Sequence, residues 1–155
     1  MGSTDTSSAP GGPALTSPLK VVAVLLALTG LVTILYWVAY FTTGAVQSES
    51  STVYIAFENS FPAADAWMSL CCFLGAAGLF SRREAGRQRG LLFGLAAGSA
   101  MIFLGLMDVL YNLEQGMYLK MSTEMGLEVL INVWTLGFGA FLLVFLWSRR
   151  KTLLG

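Results

Sequence analysis

The sequence predicts an all-α integral membrane protein: a four-transmembrane-helix bundle with a disordered N-terminal tail and both termini in the cytoplasm. Three observations lead there. Only 12% of the 155 residues are charged and 55% are hydrophobic, whereas a soluble domain carries roughly 25% charged residues because its surface faces water. The apolar residues fall into four long blocks, each close to the ~20 residues that a bilayer-crossing helix needs. Of the nine basic residues, all but Lys120 fall on one side once those blocks are folded back and forth.

Residues 1–18 are mostly Ser, Thr, Gly, Pro and Ala without apolar periodicity, the composition of a disordered tail. The first block, 19–41, is ~34 Å long as a helix, enough for a ~30 Å hydrocarbon core. A secretory signal has an apolar stretch of only about 7–15 residues, so this block reads as a retained span. Tyr36, Trp37, Tyr40 and Phe41 at its far end form an interfacial aromatic belt. A polar loop, 43–60, leads to the second span, 61–80. Pro62 suits its first turn, where a missing N–H costs nothing.

Segment 81–90 carries Arg82, Arg83, Arg87 and Arg89. The third span, 91–112, a polar loop, 113–126, and the fourth span, 127–147, follow, and Arg149-Arg150-Lys151 close the membrane domain of 19–151. Basic residues in short loops resist translocation, so the side that holds them stays in the cytoplasm. Lys20, the four arginines and the terminal trio share that side. The reading is a multi-pass protein of the plasma membrane, N-in and C-in.

Composition also excludes chemistries. There is no histidine, which removes the commonest metal ligand and the usual acid–base residue near neutral pH. Cys71 and Cys72 are adjacent in an apolar run. A thiol-redox membrane enzyme of the vitamin K epoxide reductase type needs a Cys-x-x-Cys pair, and these two read as small apolar fillers. Net charge is zero, so nucleic acid is not an expected partner.

Two patterns carry functional expectation. Gly90, Gly94 and Gly98 recur at spacing four, with Gly105 seven further on, and all four fall within about 80° on a helical wheel. Such a groove lets a neighbouring helix approach closely. Packing inside the bundle is the expected use. Its rival is contact with a membrane-protein partner or a second copy, which would make the chain a structural or interaction subunit of a membrane complex.

The second pattern is polar. One stripe per span collects Thr29, Thr33, Tyr36, Tyr40 and Thr43; Glu58, Asp65, Ser69 and Cys72; Asp108 and Asn112; and Glu124, Glu128, Asn132 and Thr135. Polar groups facing lipid are costly, so the stripes should face one another. Counted from the basic residues, Tyr36, Asp65, Asp108 and Asn132 share a layer at about 24–29 Å. Trp134 falls off its stripe and reads first as an interfacial anchor, with Tyr36 and Trp134 as the aromatic walls an amine ligand would find; Ser69 reads as a helix hydrogen-bonder.

Either these groups are structural, capping helices and bonding between them, or they form an outward-open acidic pocket. The candidate ligand-binding residues are Tyr36, Tyr40, Asp65, Ser69, Asp108, Asn112, Glu128 and Asn132. No Lys or Arg inside the spans neutralises the carboxylates, so they share protons or a bound cation balances them. Oxygen ligands without histidine suit Ca²⁺, Mg²⁺ or Mn²⁺, and a protonated amine fits equally. No other cofactor is expected. The leading function is non-enzymatic, the binding of a small cation or amine. A lipid-modifying enzyme using Asp65 and Glu128 as an acid–base pair ranks third.

Overall fold

The computed structural model describes residues 17–44, 46, 50–119 and 122–154. The chain is all-helical among these residues. The elements are α1 (Ser17–Thr43), α2 (Thr52–Glu58), α3 (Pro62–Phe80), α4 (Glu84–Glu114), a single 3-10 turn (Met117–Leu119), α5 (Thr123–Ser148) and α6 (Arg150–Leu154). Four stretches are long and apolar enough to cross a membrane: Pro18–Thr43, Thr52–Phe80, Glu84–Glu114 and Thr123–Ser148.

Local signals explain the boundaries. Pro62 sits in the first turn of α3, where its fixed φ suits a helix start. Ser122 caps α5 by accepting a 3.1 Å hydrogen bond from the Met125 amide, and Ser51 caps α2 the same way with Tyr54. Such caps satisfy backbone donors that a helix start leaves orphaned. Gly44 and Gly116, at φ 65 and 62, adopt the left-handed conformation that ends α1 and α4.

Several boundaries differ from expectation. Ser17 and Pro18 already belong to α1, since proline is tolerated in a first turn; residues 1–16 of the expected tail lie outside the described residues. The expected loop 43–60 holds α2, because Thr52–Glu58 is an apolar run with a serine cap. The expected arginine loop is mostly helix. Only Ser81–Arg83 break it, and Arg87 and Arg89 ride on α4. Beyond the last span, α6 turns Leu153 inward until it is fully buried.

The long helices pack in the row α1–α3–α4–α5. Neighbours are antiparallel, as glycine contacts show. A Cβ on Gly75 would lie 3.1 Å from the Gly94 amide, and one on Gly78 would meet the Gly90 backbone. A Cβ on Gly98 would meet the Gly139 carbonyl at 3.0 Å, and one on Gly105 the Thr135 and Leu136 side chains. The start of α1, the α3–α4 turn and the end of α5 therefore share one end of the bundle, the arginine end. The glycine face of α4 is filled from within the chain, by α3 at Gly90 and Gly94 and by α5 at Gly94, Gly98 and Gly105.

Two cores result. The larger fills the arginine half, with Leu26, Leu79, Ala97, Leu142, Leu146 and Leu153 among its members. Near Gly94 the Leu146 side chain occupies the space a Cβ would need, with Leu26 in contact beside it. The smaller core sits at the far end, where Tyr54, Met117 and Met125 are buried together with Tyr111 and Tyr118 packed against them.

Candidate functional site

Between the two cores lies a cavity of about 520 Å³ bordered by all four long helices. Its polar lining comprises Thr29, Thr33 and Tyr36 from α1, Asp65 from α3, Asp108 from α4, Glu128, Asn132 and Thr135 from α5, and Glu58 at the end of α2. No basic side chain lines it. Most of the remaining wall is aliphatic, with Trp37 and Trp134 added.

Three of the four carboxylates, Asp65, Asp108 and Glu128, are held by neutral donors. Trp37 Nε1 donates to Asp65 Oδ2 at 2.8 Å, and the Tyr54 hydroxyl donates to Glu128 Oε1 at 3.0 Å. Asn112 Nδ2 donates to Asp108 Oδ1 at 3.3 Å. Neutral donors stabilise an oxygen acceptor without cancelling its charge. Asp108 and Glu58 also lie within electrostatic reach of Glu128 and Asp65. Four acidic groups therefore share one enclosure, with Glu58 and Glu128 both buried.

Asn132 is 4% exposed. Its Nδ2 donates to the Tyr118 hydroxyl at 3.1 Å, while its Oδ1 accepts no hydrogen bond. A buried amide oxygen left this way is uncommon and calls for a donor. Burial pushes the Tyr118 phenol above its ordinary range, with the nearby Asp108 charge adding to the effect. Tyr118 therefore stays protonated near neutral pH.

The eight candidate residues are not all brought together. Tyr36, Asp65, Asp108, Glu128 and Asn132 line the cavity. Asn112 stands behind Asp108 as its hydrogen-bond donor. Ser69 instead borders a smaller hollow of about 380 Å³ between α1 and α3, which shares Trp37 and Asp65 with the main one. Tyr40 is turned into a ring cluster, with centroids 5.1 Å from Trp37 and 5.2 Å from Phe41. Tyr40 and Ser69 leave the cavity because helix faces are wider than a wheel stripe.

Trp134 is also placed differently from its reading as an anchor. It lines the cavity, and its Nε1 donates to Thr29 Oγ1 at 3.1 Å, bridging α5 to α1. At the far end, Phe57 of α2 stacks on Tyr111 with ring centres 3.8 Å apart, and Tyr54 of α2 and Tyr118 of the 3-10 turn bond to Glu128 and Asn132.

Comparison with known protein families, with curated proteins and with solved structures gives no match to this chain. The chemistry of the cavity must be read from its own residues.

Those residues favour some chemistries over others. Among the described residues, no group of three or more acidic or cysteine side chains is close enough to hold a metal ion. Cys71 and Cys72 are free thiols at zero exposure, in the core and not in the cavity. Glu58, Tyr54, Tyr118 and Trp37 are among the site formers that sequence reasoning left out of the candidate residues, although Glu58 stood on its polar stripe. The serine-capped run from Ser51 to Glu58 was a legible signal for Tyr54. Nothing local marks Tyr118, whose role depends on where the turn after α4 lands.

Proposed function

We propose that this protein is a multi-pass plasma-membrane protein, N-in and C-in, whose cavity binds a small organic cation, a protonated amine. The observation that carries this reading is the lining itself: Asp65, Asp108, Glu128 and Glu58 border one cavity with no basic side chain. Buried carboxylates without a counter-charge are costly unless protonated or paired. An ammonium group supplies three N–H donors and a charge. Tyr36, Trp37 and Trp134 add aromatic faces, which attract cations within about 6 Å.

The spread of the carboxylates around the wall supports an amine over a bare divalent ion, which needs several oxygens at about 2.0–2.6 Å. The arginine end, by the resistance of basic loops to translocation, belongs on the cytoplasmic side. The cavity then lies toward the outer leaflet. The reading as an interaction subunit loses support because its glycine face is already occupied by α3 and α5. An acid–base enzyme has little support, since Asp65 and Glu128 are each engaged by a neutral donor.

The test is thermal unfolding of purified protein in detergent with n-butylammonium as probe. Wild type should gain stability with concentration in a saturable way. Asp65→Asn and Asp108→Asn should reach the same folded yield yet need at least about ten-fold more amine for the same gain, equivalent to ~1.4 kcal/mol. If both variants respond like wild type, or wild type shows no saturable gain, the reading fails.

A further inference from the structure

Among the described residues, the cavity lacks a wall on one side. α1 packs on α3 and α5 packs on α4, but α1 and α5 do not pack on each other along their length. They are joined by the Trp134–Thr29 hydrogen bond. Val32 and Leu35 on α1 and Leu130 on α5 line the cavity and are at the same time 61%, 56% and 64% exposed. These aliphatic side chains border the cavity and also face the perimeter of the bundle, which in a membrane is lipid. Toward the arginine end Leu146 packs directly against Gly94, with Leu26 in contact beside it. Toward the far end, among the described residues, Tyr54, Met117 and Met125 are buried together.

Entry and exit therefore face sideways, and the interior has one polar end. Asn132, almost wholly buried, presents an amide oxygen that accepts no hydrogen bond, on the same wall as Glu128 and opposite Asp108 on α4. An acceptor of this kind beside carboxylates matches a group that only donates, as an ammonium does. A volume of about 520 Å³ is within the range of pockets that enclose most of a drug-sized ligand, about 300–1,000 Å³.

We infer that the ligand is a single-chain amphiphilic amine taken from the bilayer through the gap between α1 and α5. Its ammonium group meets Asp108 and Asn132, and its hydrocarbon chain lies between Val32, Leu35 and Leu130 and runs out into lipid. This rests on the reading that the cavity takes a protonated amine. The apolar walls then serve a purpose that a water-borne amine would not require.

The experiment compares n-dodecylammonium, n-butylammonium and 1-dodecanol as stabilisers of the protein in phosphatidylcholine nanodiscs. Dodecylammonium should stabilise wild type at a total concentration at least about ten-fold below that of butylammonium, because it concentrates in the bilayer from which it binds, and dodecanol should give no saturable effect. Val32→Trp and Leu130→Trp fill the gap from opposite sides at exposed positions. Each should weaken the dodecylammonium response about ten-fold, and by a larger factor than it weakens the butylammonium response. If one variant fails to fold, the other, on the opposite helix, carries the comparison. Unchanged dodecylammonium binding in a folded variant would overturn lateral entry, as would stabilisation by butylammonium alone. Absence of any response to either amine in wild type would instead overturn the amine reading beneath it.

Discussion

Asp65 and Glu128 accept hydrogen bonds from aromatic donors, Trp37 and Tyr54, which orient the two carboxylates. A buried acceptor that loses its donor is left under-satisfied, and between membrane helices such bonds contribute on the order of 0.5–2 kcal/mol. Tyr54→Phe keeps the ring packing against Tyr111 but removes the hydroxyl. Its unfolding midpoint should therefore fall modestly, by an amount equivalent to about 1 kcal/mol, and equal stability to wild type would show that the bond contributes nothing. At this scale the sequence was only half legible. Tyr36, Asp65, Asp108 and Asn132 could be placed in one layer because helical rise and lipid cost constrain them. Tyr40 and Ser69 could not, because a shift of a few tens of degrees in helix rotation moves a residue from cavity to ring cluster. The wheel put Trp134 off its stripe for the same reason, although the structure places it where its reading as an aromatic wall had it.

At the level of helices, the glycines set how closely α4 approaches its neighbours. A Cβ on Gly78 would meet the Gly90 backbone directly, and one on Gly139 would lie 2.8 Å from the Gly98 carbonyl. Gly78→Ala should force α3 and α4 apart, with a loss of about 1–3 kcal/mol typical of overpacking. Gly137 has nothing within 4 Å of such a Cβ. Gly137→Ala should be neutral or stabilising by up to ~1 kcal/mol, the helix-propensity difference. Comparable melting of the two variants would refute the assignment of the glycine face. The spacing of Gly90, Gly94 and Gly98 pointed to a packing surface, but it could not say which helices fill it. That took the positions of Gly75, Gly78 and Gly139 on the partners. The short helix α2 was hidden for a different reason: seven residues between polar flanks resemble a loop until its serine cap and buried Tyr54 are seen together.

For the whole molecule, antiparallel packing places the start of α1, the α3–α4 turn and the end of α5 at one end, where the arginines are. The proposed orientation puts Gln88 inside and Gln115 outside, and both are exposed. Since Cys71 and Cys72 are fully buried, single cysteines at these positions report without background. A membrane-impermeant maleimide applied to intact cells should label Gln115→Cys and spare Gln88→Cys; the reverse pattern would invert the topology. The four spans were legible because long apolar blocks have few alternatives in water or lipid. The buried cluster of Tyr54, Met117 and Met125 at the far end was not, since it depends on two short segments meeting in space. The central claim is that this acidic cavity holds one protonated amine. Equilibrium dialysis of radiolabelled n-butylammonium against the purified protein tests it most directly. One saturable equivalent per chain in wild type, lost when Asp65→Asn and Asp108→Asn are combined in a variant that still folds, is the predicted result. Uptake that is non-saturable, or saturable uptake unchanged in the double variant, would contradict it.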